Sequence, residues 1–225
     1  MKNNAKFFRE IIAVIGIALL VAGIMRTSRA DDGRDFADKA KFTKIDVPGA
    51  AGTTEAFGIN PQGEIVGVST HGFLLSKGKF TNIDVPGALA GSTSANGINP
   101  QGDIVGTYTD SSGNGHGFLL SHGRFTTIDV PGASVLLGSS PWGINPQGDI
   151  VGFYADGSRN FHGFLLSEGR FKIIDVPAAF GIGTSAYGIN PQGDIVGLYS
   201  DGSSNTHGFL LEQDRENDGD REHDR

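Results

Sequence analysis

The chain has 225 residues, a formal net charge of −7, 35 glycines, no cysteine and only 19% charged residues. These figures exclude a disulfide framework, cysteine-based nucleophiles or metal sites, and a long helical or coiled-coil fold. The acidic balance argues against a nucleic-acid binder working through a basic face. Glycine at this density favours a turn-rich, all-β protein.

At the N-terminus, Lys2, Lys6 and Arg9 precede an apolar stretch from Ile11 to Met25 and a polar segment ending Ser28-Arg29-Ala30. This order predicts a secretory signal peptide over 1–30, cleaved after Ala30, and a linker over 31–41. The fifteen apolar residues fall short of the ~20 that span a bilayer, so no stable membrane insertion is expected after cleavage; an uncleaved anchor is the alternative. Cleavage removes five basic residues and one acid, taking the charge from −7 to −11. The expected location is secreted or periplasmic.

Residues 42–212 contain four copies of one unit. GINPQG recurs at Gly58, Gly97, Gly143 and Gly188, HGFLL at His71, His116, His162 and His207, and IDVP at Ile45, Ile83, Ile128 and Ile174. Each unit reads as strands A to D. A short strand A leads into Asn-Pro-Gln-Gly, whose proline and glycine suit a type I turn with a bulge, and a β-branched strand B leaves it. HGFLLS is strand C, and after a two-residue turn the alternating Phe-Thr-x-Ile-Asp-Val is strand D. A four-strand repeat of ~45 residues matches the blade of a β-propeller, so the predicted fold is a small four-bladed propeller. The array opens with a lone D-type strand, Phe42 to Val47, and ends after a C-type strand at Leu211. The N-terminal strand is therefore expected to complete the last blade. Ile104, Phe118, Leu120, Ile128 and their equivalents are the expected core. Gly67, Gly106, Gly152 and Gly197, inside strand B, are expected to allow neighbouring sheets to approach. Residues 213–225, mostly charged, read as a disordered tail.

The signal peptide together with units reading GINPQGDIVGxYxD and HGFLLSxGRFTTIDVPGA resembles the bacterial extracellular HAF repeat family, with His-Gly-Phe in place of His-Ala-Phe. The resemblance covers residues 42–211. It implies an exported repeat protein and lends no catalytic residues.

Uniform A–B and C–D turns on one face oppose longer, varied B–C and D–A connections on the other, and varied loops on a fixed scaffold commonly carry binding sites. On that face the B–C loops bring Asp110, Asp156, Arg159 and Asp201, and the D–A loops bring Val135, Leu136, Leu137, Phe180 and Ile182. The residue before Gly-Ile-Asn changes between copies while its neighbours recur: Phe57, Asn96, Trp142 and Tyr187. Three aromatics and an amide about an axis suggest a stacking platform for a sugar or apolar ligand, against the alternative of cavity filling. The four histidines are expected to hold local hydrogen bonds with aspartates such as Asp84 and Asp129, rather than to converge on a metal. Asp46, Asp84, Asp129 and Asp175 are expected to accept backbone N–H groups in turns. No metal, calcium site or cofactor is expected. The expected function is an exported binding or structural module acting through the varied loops on a glycan, a peptide or another copy, with pairing into a homodimer kept open. The alternative is an extracellular polysaccharide hydrolase or lyase using loop carboxylates.

Overall fold

A computed structural model describes residues 40–213 except 51, 178, 180–182 and 204. The expected signal peptide, most of the linker, the tail beyond Gln213, and Phe180 and Ile182 lie outside the described residues. The chain divides into two units, Met1–Lys44 and Ile45–Arg225. Of the first, only residues 40–44 are described, and they form no regular element.

The second unit is all-β, a four-bladed β-propeller of consecutive antiparallel meanders. The first blade is β1 (Glu55–Ile59), β2 (Ile65–Val68), β3 (Gly72–Ser76) and β4 (Lys79–Ile83). The second is β5 (Ser94–Ile98), β6 (Ile104–Thr109), β7 (Gly115–Ser121) and β8 (Arg124–Ile128). The third is β9 (Ser139–Ile144), β10 (Ile150–Ala155), β11 (Phe161–Ser167) and β12 (Arg170–Ile174). The fourth is β13 (Thr184–Ile189), β14 (Ile195–Ser200) and β15 (Thr206–Leu211).

The asparagine of each Asn-Pro-Gln-Gly turn shapes the A–B hairpin. Asn99 Oδ1 accepts the N–H groups of Gln101 and Asp103, and its Nδ2 donates to Asp103 Oδ2. Gly102 N–H donates to Asn99 O, and Gly102 takes φ +85°, a left-handed value that glycine adopts without steric penalty. The predicted type I turn with its bulge is thus formed. The same side chain also joins blades: Asn60 Nδ2 donates to Asn99 O, and Asn99 Nδ2 to Asn145 O. A C–D turn such as Lys77-Gly78 places both residues at positive φ, as a two-residue hairpin requires.

The cores lie between successive blades, because each sheet has two faces and must bury both against neighbours. Val66, Ile83, Ala95, Ile98, Ile104 and Phe118 join the first two blades. Val105, Ile128, Ile150 and Phe164 join the second and third, and Val151, Leu165, Ala186 and Ile195 the third and fourth. The predicted core residues Ile104, Phe118 and Ile128 are buried, and Leu120 packs against the cluster that holds the first two. Strand A of each of the first three blades also approaches strand A of the next: a Cβ on Gly143 would lie 2.8 Å from Tyr187 O.

Two expectations are corrected. The glycines within strand B relieve crowding inside a blade rather than between sheets: a Cβ on Gly106 would strike the Ser94 carbonyl of the paired β5 and the Phe118 ring of β7. The closing strand is also absent among the described residues. Residues 42–47 form no strand, and the fourth blade ends at β15. Val47 N–H donates to Thr54 Oγ1, as Val85 does to Thr93 and Val176 to Thr184, so residue 47 is tied to the blade that follows it in sequence. No comparable packing joins the fourth blade to the first among the described residues. Val196 is accordingly 48% exposed, while its counterparts Val66, Val105 and Val151 are fully buried.

Candidate functional site

The residue that varies between copies has a defined structural position. Pairing of strands A and B slips between Ala56 and Gly58, Ala95 and Gly97, Pro141 and Gly143, and Ala186 and Gly188. Phe57, Asn96, Trp142 and Tyr187 are therefore the extra residues of four β-bulges. A bulge residue is released from the alternation of the ladder, and its side chain is re-aimed. The released side chains meet: Phe57 and Trp142 have ring centroids 5.8 Å apart, and Trp142 and Tyr187 5.4 Å. Phe153 extends the contact from Tyr187 at 5.8 Å, and Phe161, at the start of β11 beside the B–C loop, follows at 5.5 Å. Five partly buried rings thus run from the meeting point of the A strands to the varied loops. Trp142 Nε1 donates to Ser140 Oγ, which fixes the indole, and burial pushes the Tyr187 hydroxyl pKa up against a hydrogen bond from Ser185.

Asn96 stands apart from this group. It is buried, accepts from Ser94 Oγ, and donates to Pro141 O of the third blade. Its amide is committed to holding two blades together, and it offers a ligand nothing.

The varied loops do share one end of the propeller. Leu89 N–H of the first D–A connection donates to Thr109 O, Ser134 N–H to Ala155 O, and Gly115 N–H to Val135 O. Val135 is exposed while its carbonyl accepts from Gly115, and Leu136 beside it is exposed as well. Asp110, Asp156 and Asp201 organise the B–C loops. Asp156 Oδ1 accepts the N–H groups of Ser158 and Asn160, and Oδ2 accepts from Asn160 Nδ2. The Asn160 side-chain bond, followed by its backbone bond, lowers the Asp156 pKa, and the Asn114 backbone bond is the main cause at Asp110. The bond from His207 puts Asp201 far below the ordinary carboxylate range. Carboxylates held ionised suit loop caps and do not suit a general acid. Arg159 is exposed at φ +69°, its N–H donating to Asp156 O.

Each histidine stays in its own blade, as expected. His71 Nδ1 lies 2.7 Å from Asp84, His116 Nδ1 3.0 Å from Asp129, and His162 Nδ1 2.9 Å from Asp175. Asp84, Asp129 and Asp175 therefore hold histidines, where turn capping was expected. On the other side of the ring, Nε2 meets the loop carboxylate: Asp110 at 3.5 Å, Asp156 at 3.5 Å and Asp201 at 2.9 Å. Tyr108, Tyr154 and Tyr199 stack on the imidazole faces at 5.1–5.2 Å. The tyrosine recurs eight residues before the histidine in three copies, a spacing that could have revealed the stack in advance.

No family model matches the chain, and no curated protein matches it. Among solved structures, the crystal structure of a triple arginine-to-alanine mutant of AofleA from Arthrobotrys oligospora is similar at 15% identity, with a TM-score of 0.45. The match covers 73% of this chain and 55% of that one, so the chain spans about half the length of AofleA.

Proposed function

We propose that this is an exported, non-catalytic binding module of the HAF-repeat kind, which takes a glycan on its axial aromatic cluster from the varied-loop face. The observation that carries the reading is the union of Phe57, Trp142 and Tyr187 at bulge positions, continued by Phe153 and Phe161 toward the loops. Aromatic faces bind the apolar faces of sugar rings, with partner hydrogen bonds supplied at the edges. A bulge lets one position per blade vary without disturbing the ladder, which is what a ligand-selective position on a repeated scaffold needs. Export is supported by the signal-peptide pattern and would appear as the mature protein in the periplasmic or medium fraction.

A glycan array probed with the labelled protein tests the reading. Binding to at least one glycan is expected, with loss of roughly tenfold or more in Trp142→Ala and in Phe161→Ala, since each removes a stacking face. Asp156→Asn, which leaves the aromatic cluster intact, is expected to bind as the parent does. A protein that binds no glycan, or one whose binding survives both aromatic substitutions, removes the proposal.

A further inference from the structure

The first blade departs from the other three around its histidine. Gly63 and His71 are 8 residues apart, whereas Gly102 and His116, Gly148 and His162, and Gly193 and His207 are each 14 apart. Six residues are therefore missing between the A–B turn and strand C. The consequences are local: β2 spans Ile65–Val68, while β6 runs from Ile104 to Thr109. Ser69 stands where Tyr108, Tyr154 and Tyr199 stand, and no B–C loop brings an aspartate to Nε2 of His71 among the described residues. In the second blade, the Ala88–Asp110 bridge and the Leu89-to-Thr109 hydrogen bond close the corresponding space. In the first, a groove of about 240 Å³ remains, lined by Val47, Gly49, Thr70, His71, Phe73 and Asn82.

From this comparison we infer that the groove beside His71 binds a small aromatic carboxylate. The protein itself shows twice, at His116 and His162, what surrounds this imidazole when its setting is complete: a phenol ring stacks on its face, a carboxylate lies on Nε2, and a second carboxylate holds Nδ1. The stacked phenol and the Nε2 carboxylate recur at His207. At His71 the Nδ1 carboxylate is in place, with Asp84 at 2.7 Å fixing the ring's orientation, and the other two are vacated. A planar ring carrying a carboxylate supplies both in one molecule. The imidazolium form donates from both nitrogens, to Asp84 and to the ligand. Thr70 and Asn82 add a hydroxyl and an amide to the wall, and the buried Phe73 adds an apolar floor. The volume lies below the ~300–1,000 Å³ of clefts for larger ligands, so one ring fits and a polymer does not. This site belongs to one blade, separate from the axial aromatic cluster, and stands whether or not that cluster binds a sugar.

The test is a titration of the full protein with 4-hydroxybenzoate, followed by saturation-transfer NMR and by the imidazole resonance that His71→Ala removes. Saturable binding that shifts this resonance is expected, with 4-hydroxybenzamide binding roughly tenfold more weakly because the charged acceptor is gone. Replacing Ser69-Thr70 by the octapeptide of Tyr108–Gly115 restores the missing six residues, fills the groove from within, and is expected to abolish binding. This second variant decides the matter if His71→Ala does not fold. Absence of binding, equal binding of the amide, or binding that persists in the filled variant overturns the inference.

Discussion

Val105 and Val196 occupy the same place in the same tripeptide, Ile-Val-Gly, yet the first is fully buried against the third blade and the second is 48% exposed. The difference extends to the surroundings. Ile98 is 9% exposed and Ile59, its counterpart on β1, 68%. Ala95 and Ala186 are buried, and Ala56 is exposed. What separates the three inner interfaces from the fourth-to-first seam is the presence of a neighbour, and the residues are the same. In a repeat array the apolar content of a unit sets how much it can gain, and adjacency sets how much it does gain.

The widest contrast is expected at the strand C phenylalanine. Phe118→Ala, at a fully buried site, should cost about 3–5 kcal/mol by loss of transfer energy and cavity formation, whereas Phe209→Ala, on the edge strand β15, should cost less than half of that. Chemical denaturation of both variants checks this, and equal losses would mean that the seam is packed in solution. Next come the valines. Val105→Ala should lose about 2 kcal/mol and Val196→Ala no more than ~0.5 kcal/mol.

The glycines of strand A give a finer reading of the same comparison. A Cβ on Gly97 meets the Trp142 carbonyl of the next blade, while one on Gly188 meets only Val196 Cγ2 of its own blade, at 3.0 Å. Gly97→Ala is expected to destabilise by about 1–3 kcal/mol through overpacking, and Gly188→Ala to lie within ~1 kcal/mol of the parent in thermal unfolding. Where the side chains are equivalent, backbone dynamics should still differ: amides of β13–β15 are expected to exchange with deuterium faster than those of β5–β8, because among the described residues one face and one edge of the fourth sheet lack partners.

The smallest effect is expected from pH. Asp110, Asp156 and Asp201 have folded-state pKa values below the ordinary one, so their contribution is present above pH ~4 and is lost as pH falls through the folded values. The melting temperature should therefore decline below pH ~4, with a shallower slope in Asp156→Asn. In the first blade, which lacks the loop aspartate, the contribution of this sign comes from Glu64, whose pKa is lowered by its hydrogen bonds from Asn60 and Ser76. An unchanged slope in the variant would show that the loop bonds form equally in the unfolded chain.

Much of the fold is written in local pattern. Asn-Pro-Gln-Gly, the two-residue C–D turns and the alternation within Arg124–Ile128 each fix a hairpin through φ preferences and side-chain capping within five residues. Blade count and strand order follow from repetition of those signals. The candidate site was legible in part. Variation at Phe57, Trp142 and Tyr187 marked the position, but the cause, a bulge, depends on where strand B pairs, and a register is a property of two strands. Nor did the pattern separate Asn96 from the aromatics, because its partner Pro141 lies 45 residues away on another blade.

The sequence by itself determined the strands, the turns and their fourfold recurrence, since these rest on backbone preferences and apolar alternation over a few residues. The tertiary structure alone decided which identical valines are covered, which ring faces meet, and that residues 42–47 form no strand. Each of those outcomes depends on desolvation or pairing against residues distant in the chain, and that energy exists only when two surfaces are brought together.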